Sequence, residues 1–362
     1  MIKIYDPKVA VIADIHFGLH SNSDQWHNII MDYGVWLKSE LDKKGIKDIF
    51  VLGDIFHDRE EIGVKTLFTT EKFFQLFSDP VSPYNIVMIT GNHDSYFRDN
   101  SDINSVSVFK GWNNIQVIDS AESVEYMGKT LMFSPWGADF TAFPDKIDIL
   151  FGHLEINTFK KNVLKLCDDG IDSGTLFTKA DLVMSGHFHL RDERKYPDDK
   201  QIVYVGCPYP QSWNDFDDVK GYYILDLPTS KFEFTENAVS PRYHKIPLSQ
   251  FFDKATLPTI KKLIPNNFIK IIVDQENFDY SKLEKLMNTL LLMKPMELSS
   301  DFVQEKVALS ESYDSIHLDT KTMMTEFVEH LDLDNEDLQT KVIKELEEIY
   351  EKASNKVNIE QN

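Results

Sequence analysis

The sequence predicts an α/β fold in which short buried strands alternate with amphipathic helices. Six apolar runs rich in valine and isoleucine have the length and composition of buried strands, and they span residues 8–13, 48–52, 85–90, 148–151, 181–184 and 201–205. Apolar residues at helical spacing fill two of the gaps, over 24–44 and 64–77. Strands that alternate with helices along a chain indicate an α/β sheet.

The remaining elements follow in order along the chain. Residues 221–227 are a further predicted strand, and 231–237 can pair with it in antiparallel orientation. The pattern over 266–303 predicts a small strand–helix–strand unit. Beyond residue 320 there is no strand pattern, and two helices are predicted, with Asp334 at the N-cap of the second. We therefore expect three parts, over 1–245, 246–310 and 311–362.

Composition indicates an ordinary globular protein. Of the 362 residues, 42% are hydrophobic and 12% aromatic, which suffices for a sizeable core. No run approaches eighteen apolar residues, so a membrane span is not expected, and the first residues lack the pattern of a secretory signal. Two isolated cysteines, Cys167 and Cys207, are typical of a reducing cytosol, and we expect a cytoplasmic protein.

The net charge limits how the chain could bind nucleic acid. It is −21, from 38 basic and 59 acidic residues. Such a charge argues against a protein that coats DNA by itself, because phosphate repels it. It does not argue against DNA as a substrate, since carboxylates that bind metal ions contribute part of the acidity.

Five polar clusters each follow directly on a predicted strand. Their residues are Asp14 and His16 in "DIH", Asp54 and His57 in "GDIFHD", Asn92, His93 and Asp94 in "GNHD", His153 in "GH", and His187 and His189 in "GHFH". Singly they are weak signals: "GNHD" could be a turn, and His153 a hydrogen-bonded structural histidine. Together they predict one site, because sites in open α/β sheets gather beyond the carboxyl ends of the strands.

The donor types in these clusters indicate a pair of metal ions. The candidate ligands are Asp14, His16, Asp54, Asn92, His153, His187 and His189. If one carboxylate bridges, they supply four protein ligands to each of two ions. Imidazole, carboxylate and amide donors without thiolate favour manganese, iron or zinc over calcium. Two-metal sites suit the hydrolysis of phosphoesters, because the ions activate a nucleophile and neutralise developing charge.

One histidine is left over from this count. His93 is adjacent to a candidate ligand but is not needed as one, so it can protonate a leaving oxygen or stabilise charge. Asp94 follows it, and we expect its carboxylate to orient the His93 ring.

The clusters resemble, in this order, the motifs D-x-H, G-D, G-N-H-D, G-H and G-H-x-H of the calcineurin-like metallophosphoesterases. His57 resembles the last position of the D-x-x-H motif in the Mre11/SbcD nucleases of that superfamily. Residues 204–227 are similar to a further segment of those nucleases, with Cys207, Trp213 and Asp215 as departures. The chain also resembles the recombination nuclease subunits of T4-like bacteriophages over nearly its whole length.

The resemblance implies a fold, a set of ligands and an activity. The fold is a two-sheet α/β/β/α sandwich with a small α+β capping domain that faces DNA and a C-terminal helical pair. Two divalent ions, Mn²⁺ before Mg²⁺, iron or Zn²⁺, are implied, one held by Asp14, His16, Asp54 and His189 and the other by Asp54, Asn92, His153 and His187. His93 corresponds to the catalytic histidine and His57 to the one tied to exonuclease action. The implied activity is 3′-to-5′ exonuclease and single-strand endonuclease cleavage at DNA ends.

The implied partners are DNA ends and a Rad50/SbcC-like ATPase, with a homodimer inside a heterotetramer. The last predicted helix places Leu338, Val342, Leu346 and Ile349 on one face. That stripe could fold back on the chain's own core, but we favour docking onto the ATPase.

Other interpretations of the sequence remain. A phosphatase or cyclic-nucleotide phosphodiesterase could use the same fold, and a non-catalytic scaffold could keep it. Arg59 and Arg98 lie beside the motifs and could contact phosphate or form surface salt bridges. We expect Trp112 and Trp136 to belong to the core, and the sequence assigns no nucleic-acid contacts.

Overall fold

The computed structural model describes residues 2–161, 165–273, 280–302 and 341–344. Residues Met1–Val303 form one compact unit and Gln304–Asn362 a second, of which only the helical residues 341–344 are described. The predicted terminal helix pair therefore lies almost entirely outside the described residues, as do Leu338, Leu346 and Ile349. Among the helices that the structure describes, none has the length and apolar character needed to span a bilayer.

The first sheet has six strands, in the spatial order β12-β11-β1-β2-β3-β4. Their bounds are β1 Lys8–Ile12, β2 Asp48–Leu52, β3 Asn85–Ile89, β4 Ile115–Ile118, β11 Gly221–Asp226 and β12 Lys231–Glu236. Strands β1 to β4 run parallel, and β11 pairs antiparallel with both β1 and β12. The predicted strands at 8–13, 48–52, 85–90, 221–227 and 231–237 are confirmed, whereas β4 was not predicted.

The second sheet also has six strands, in the order β5-β6-β7-β8-β10-β9. Their bounds are β5 Glu122–Tyr126, β6 Lys129–Ser134, β7 Ile147–His153, β8 Ala180–Gly186, β9 Asp192–Lys195 and β10 Gln201–Tyr204. Its four central strands are parallel, and β5 and β9 are antiparallel edge strands. The sequence pattern predicts β7, β8 and β10, but it predicts neither the central strand β6 nor the two edge strands.

Six α-helices accompany the sheets within the described ranges. They are α1 Leu19–Asn22, α2 Asp24–Lys44, α3 Val64–Gln75, α4 Ser173–Phe177, α5 Leu257–Leu263 and α6 Tyr280–Leu291. Helix α2 has the predicted bounds, and it ends at Gly45, whose left-handed backbone (φ 68°) returns its N–H to the carbonyls of Leu41 and Asp42.

Alternation along the strands produces the layers. Val9 and Val11 of β1 pack between the two sheets, whereas Ala10 and Ile12 face the core beneath α2 and α3. Phe50 contacts two rings of the second sheet, Phe133 and Phe151, at centroid distances of 5.3 and 5.0 Å. The outer face of the second sheet is covered by a separate apolar cluster that includes Leu176 of α4. This is the α/β/β/α sandwich that the resemblance implied.

A small third sheet follows the sandwich in the chain. It consists of the parallel strands β13 Tyr243–Pro247, β14 Phe268–Val273 and β15 Glu297–Phe302. With α5 and α6 it encloses its own apolar cluster, which includes Ile246, Ile271 and Leu283. The predicted strand–helix–strand unit corresponds to β14, α6 and β15.

Both cysteines are free thiols, and both are buried. Cys167 lies in the apolar cluster on the outer face of the second sheet, and the Sγ of Cys207 contacts the carbonyl oxygen of His189. Burial raises the pKa of each thiol.

Candidate metal centre

All seven predicted donors lie at one rim of the sandwich, directly beyond the carboxyl ends of β1, β2, β3, β7 and β8. The ligand atoms of Asp14, His16 and His189 lie within 4.8 Å of one another. The ligand atoms of Asp54, His153 and His187 form a second group, and they too lie within 4.8 Å of one another. The structure thus brings together side chains that are separated by up to 175 positions in the sequence.

Asp54 lies between the two groups. Its Oδ2 is 3.6 Å from Nε2 of His16, and its Oδ1 is 3.4 Å from Nε2 of His153. On the second side, Oδ1 of Asn92 lies 2.9 Å from Nε2 of His153 and 2.8 Å from Nδ1 of His187. On the first side, the Nε2 atoms of His16 and His189 are only 3.0 Å apart. Each oxygen of Asp54 therefore faces a different donor group.

The backbone at the rim is held in left-handed conformations. Asp14, His16, Asp54 and His187 have φ angles of 56°, 55°, 53° and 93°. Such conformations cost about 1–3 kcal/mol for each non-glycine residue, and they cluster at functional sites. The glycines of the motifs permit the close packing: a Cβ on Gly91 would lie 2.2 Å from the Asp54 backbone nitrogen. Adjacent strand ends could not otherwise approach so closely.

The electrostatics of the rim favour bound cations. Asp14 and Asp54 are both buried, and burial raises the pKa of Asp14 to about 7. Burial also opposes ionisation of Asp54. The charge and hydrogen bond of His153 outweigh the effect of burial and hold the pKa of Asp54 well below its usual value. The facing nitrogens of His16 and His189 need a proton or a cation between them, since two lone pairs repel. Two buried carboxylates among imidazoles therefore suit divalent ions.

His93 and His57 lie beside the first donor group. Nδ1 of His93 is 2.6 Å from the carbonyl oxygen of His57, and the two rings stack with centroids 5.6 Å apart. The His93 ring lies 4.9 Å from that of His16. Because a carbonyl oxygen only accepts hydrogen bonds, Nδ1 of His93 carries a proton, and Nε2 is the nitrogen left for a reacting group.

The expectation for Asp94 is wrong. Its carboxylate accepts hydrogen bonds from the backbone N–H groups of Ile55, Phe56 and Gly91, each at 2.9 Å. The His93 ring is held by the His57 carbonyl instead. Asp94 thus joins the loop after β2 to the loop after β3, and it orients the backbone of both rather than the His93 ring.

Two side chains next to His187 were not predicted as part of the site. Oε1 of Glu155 lies 3.9 Å from Nε2 of His187, and the Trp136 ring lies 5.1 Å from the His187 ring. Trp136 is only half-buried and lines a cavity, so its expected place in the core is wrong. Trp112, by contrast, packs against the core. The position of Glu155 two residues after His153 was the only signal in the sequence.

The segment after β10 supports the rim from behind. Nε2 of Gln211 donates to the carbonyl of Asp14 at 2.7 Å, and Tyr209 donates to that of Ile15. Nζ of the buried Lys220 donates to the carbonyl of His189 at 2.6 Å and forms an ion pair with Asp215 at 2.6 Å. These contacts fix the backbone that carries the first donor group.

Two layered sheets that present histidine, aspartate and asparagine donors at one rim define a metal-dependent phosphoesterase. The chain belongs to the calcineurin-like phosphoesterase family, whose sequence pattern matches residues 7–191. Exonuclease subunit 1 of phage T4 is 25% identical over 305 residues, which cover 81% of this chain and 85% of that protein.

Solved structures of low sequence identity also resemble the chain. A dimetal phosphatase from Danio rerio is 10% identical, with a TM-score of 0.39, and the match covers 60% of this chain and 91% of that one. The phosphoesterase Yfce from E. coli is 13% identical, with a TM-score of 0.33, over 64% of this chain and 100% of that one.

Proposed function

We propose that the chain is a DNA nuclease subunit that hydrolyses phosphodiester bonds at DNA ends with two metal ions. The observation that carries the proposal is Asp54, whose two oxygens face two separate groups of buried donors. The family supports phosphoester hydrolysis. The similarity to an exonuclease subunit over most of the chain supports DNA as the substrate. We propose both 3′-to-5′ exonuclease and single-strand endonuclease action.

The donor groups support a definite assignment of ligands. One ion would be held by Asp14, His16, Asp54 and His189, and the other by Asp54, Asn92, His153 and His187. We propose Mn²⁺, with Mg²⁺, iron and Zn²⁺ as the other candidates for such mixed donors. When bound, the ions would supply an activated water and neutralise charge on the phosphate.

His93 is proposed as the residue that transfers a proton to the leaving oxygen. The His57 carbonyl fixes its ring by accepting from Nδ1–H, and the proton is transferred from Nε2–H of the doubly protonated imidazolium, which leaves the neutral ring. We propose that His57, stacked on His93, contributes to exonuclease action on the strand end. Asp94 takes part only through the backbone that it holds.

The assignment of His93 is tested by His93→Ala. We expect cleavage of labelled DNA in Mn²⁺ to fall by about 10²- to 10⁴-fold, the contribution of one general acid. Bound manganese per chain and the thermal unfolding midpoint should stay unchanged, because His93 is not a proposed ligand. Cleavage at the rate of the parent would refute the assignment. Hydrolysis of bis(p-nitrophenyl) phosphate by a parent that leaves DNA intact would favour a small-substrate phosphodiesterase.

The small third sheet supports a DNA-facing role for the proposed capping domain at 246–310, beside a nuclease domain at 1–245. Over 246–310 there are eight basic and eight acidic residues, in a chain whose net charge is −21. The basic excess lies in 246–273, which carries Lys254, Lys261, Lys262 and Lys270 against one acidic residue, Asp253. Such a local excess of positive charge attracts the phosphate backbone.

The proposed protein partners are an ATPase subunit and a second copy of the chain. The phage relative is by its name one subunit of an exonuclease. The stripe of Leu338, Val342, Leu346 and Ile349 in the proposed partner-binding part at 311–362 would meet the ATPase. Helix α3 exposes a row of apolar side chains, Val64, Leu67 and Phe68, which are 88%, 44% and 57% exposed. A homodimer through α3 would cover them.

A further inference from the structure

A cavity of about 380 Å³ opens directly beside the second donor group. The buried His153, the Trp136 ring and the exposed Arg98 are among the residues that line it. None of the residues already assigned to catalysis or metal binding needs this space, apart from His153 at its border. The cavity is therefore placed to receive the part of a substrate that extends from a phosphate at the metal centre.

The Trp136 ring is held rigidly at this wall. Its indole Nε1 donates to the carbonyl of Arg98 at 2.7 Å, and its backbone N–H donates to the carbonyl of Thr90 at 2.9 Å. The ring lies 5.1 Å from His187 at an interplanar angle of 34°. A fixed, partly exposed indole offers a flat apolar surface without a further loss of side-chain freedom, which suits the stacking of a planar ring.

The charges around the cavity exclude a phosphate from its interior. Asp99, Glu155 and Asp169 also line it. Two of them share one cation, since Nζ of Lys161 lies 2.5 Å from Glu155 and 2.7 Å from Asp169. Three carboxylates against the ammonium of Lys161 and the guanidinium of Arg98 leave an excess of one negative charge around the cavity. A neutral nucleobase fits that surface, whereas a phosphate group would be repelled.

Exposed aromatic side chains precede the lining residue Arg98 in the chain. Arg98 is exposed, and it follows two exposed aromatic residues, Tyr96 and Phe97, whose rings contact each other at 5.2 Å. These side chains are 55% and 41% exposed. Exposed aromatic rings next to an arginine are typical of surfaces that bind single-stranded nucleic acid.

We propose that the cavity holds the base of an unpaired nucleotide next to the scissile phosphate, stacked on Trp136, while Arg98 contacts the following phosphate. The inference rests on the proposed DNA cleavage and specifies its substrate, since a base in this cavity cannot remain paired in a duplex. DNA would have to be single-stranded or frayed at the cleaved position.

The test is a double-mutant cycle in which the Trp136 ring and the DNA base are removed separately and together. Single-stranded oligonucleotides carry either a normal base or an abasic analogue at each position beside the cleaved bond. With the parent, removal of the base at one position should lower kcat/KM about tenfold or more, the effect of losing one stacked base. Trp136→Ala should cleave the normal strand that much more slowly and should not respond to the abasic analogue. Trp136→Phe should restore most of the difference.

The controls separate this proposal from the function on which it rests. Trp136→Ala should cleave the abasic strand as fast as the parent does, which excludes damage to the metal centre. Arg98→Ala should slow normal and abasic strands equally, and Tyr5→Ala, an exposed ring elsewhere, should change neither. Equal loss on both strands in Trp136→Ala, or no abasic effect in the parent, would overturn the cavity proposal alone. A parent that cleaves no DNA would overturn both proposals.

Discussion

Replacement of Lys220 by methionine should destabilise the protein strongly. The Lys220 side chain is only 2% exposed, and its Nζ lies 2.6 Å from Asp215, 2.7 Å from Asp218 and 2.6 Å from the carbonyl of His189. Methionine keeps the apolar stem but removes all three hydrogen bonds. The carboxylate of Asp215, also 2% exposed, would then be an unpaired buried charge.

The magnitude follows from that unpaired charge. Removing one partner of a buried ion pair costs about 3–5 kcal/mol. At about 2 °C per kcal/mol for a chain of this size, the unfolding midpoint should fall by about 6–10 °C. The assay is thermal unfolding in EDTA, so that metal binding adds nothing to stability. The matched control is Lys110→Met, whose exposed pair with Asp119 contributes at most about 1 kcal/mol.

The pH dependence gives a second check. Burial disfavours the charge on Lys220, but its anionic neighbours outweigh burial and raise its pKa, so this stabilisation is lost only as pH rises through that raised value. Burial opposes ionisation of Asp215 too, but Lys220 outweighs it and lowers the pKa, so that contribution is lost only in acid. Lys220 also lowers the pKa of Asp14, which burial raises to about 7, so removing Lys220 raises the pKa of both Asp14 and Asp215 in the folded variant. The loss of stability in the variant should therefore grow as pH rises through about 7. A loss under about 1 kcal/mol, or one that shrinks as pH rises, would refute the reasoning.

Three further predictions concern metal, assembly and DNA. Asp54→Asn should lose both manganese ions while Asp14→Asn loses one, as measured by bound metal per folded chain; equal losses would contradict a shared Asp54. Phe68→Glu should convert a dimer to a monomer in light scattering without lowering the unfolding midpoint, because the side chain is exposed. A parent that is already monomeric would exclude that interface. Replacing Lys261 and Lys262 by glutamine should reduce the salt slope of duplex binding by about 0.9 for each phosphate that is no longer neutralised, whereas an unchanged slope would place the DNA elsewhere.

The sequence predicts the buried parts of the fold better than its edges. The six initial apolar runs are all strands, because strands buried on both faces are continuously apolar. The edge strand β5 alternates between partly and fully exposed residues, and β9 consists of "DERK", so neither produces an apolar run. Their pairing depends on neighbours that are distant in the sequence, and local pattern does not contain that information.

The donors of the candidate site could be predicted because each follows a strand and strand ends converge. The contacts between them could not. Asp94 was expected beside the His93 ring because the two are adjacent in sequence, but its carboxylate is bonded to three backbone N–H groups. Trp136 was expected in the core, but it lines a cavity. Which side of a loop an aromatic ring occupies is decided by tertiary packing, and no local spacing encodes it.

The inaccessible thiols have a practical consequence for experiments. Cys167 and Cys207 are 2% and 1% exposed, and burial raises the pKa of both, so neither should react with maleimide in the native state. A cysteine introduced at an exposed site, such as Val81, would then accept a fluorophore or spin label alone. Distance measurements from one labelled position become possible without removal of any native residue.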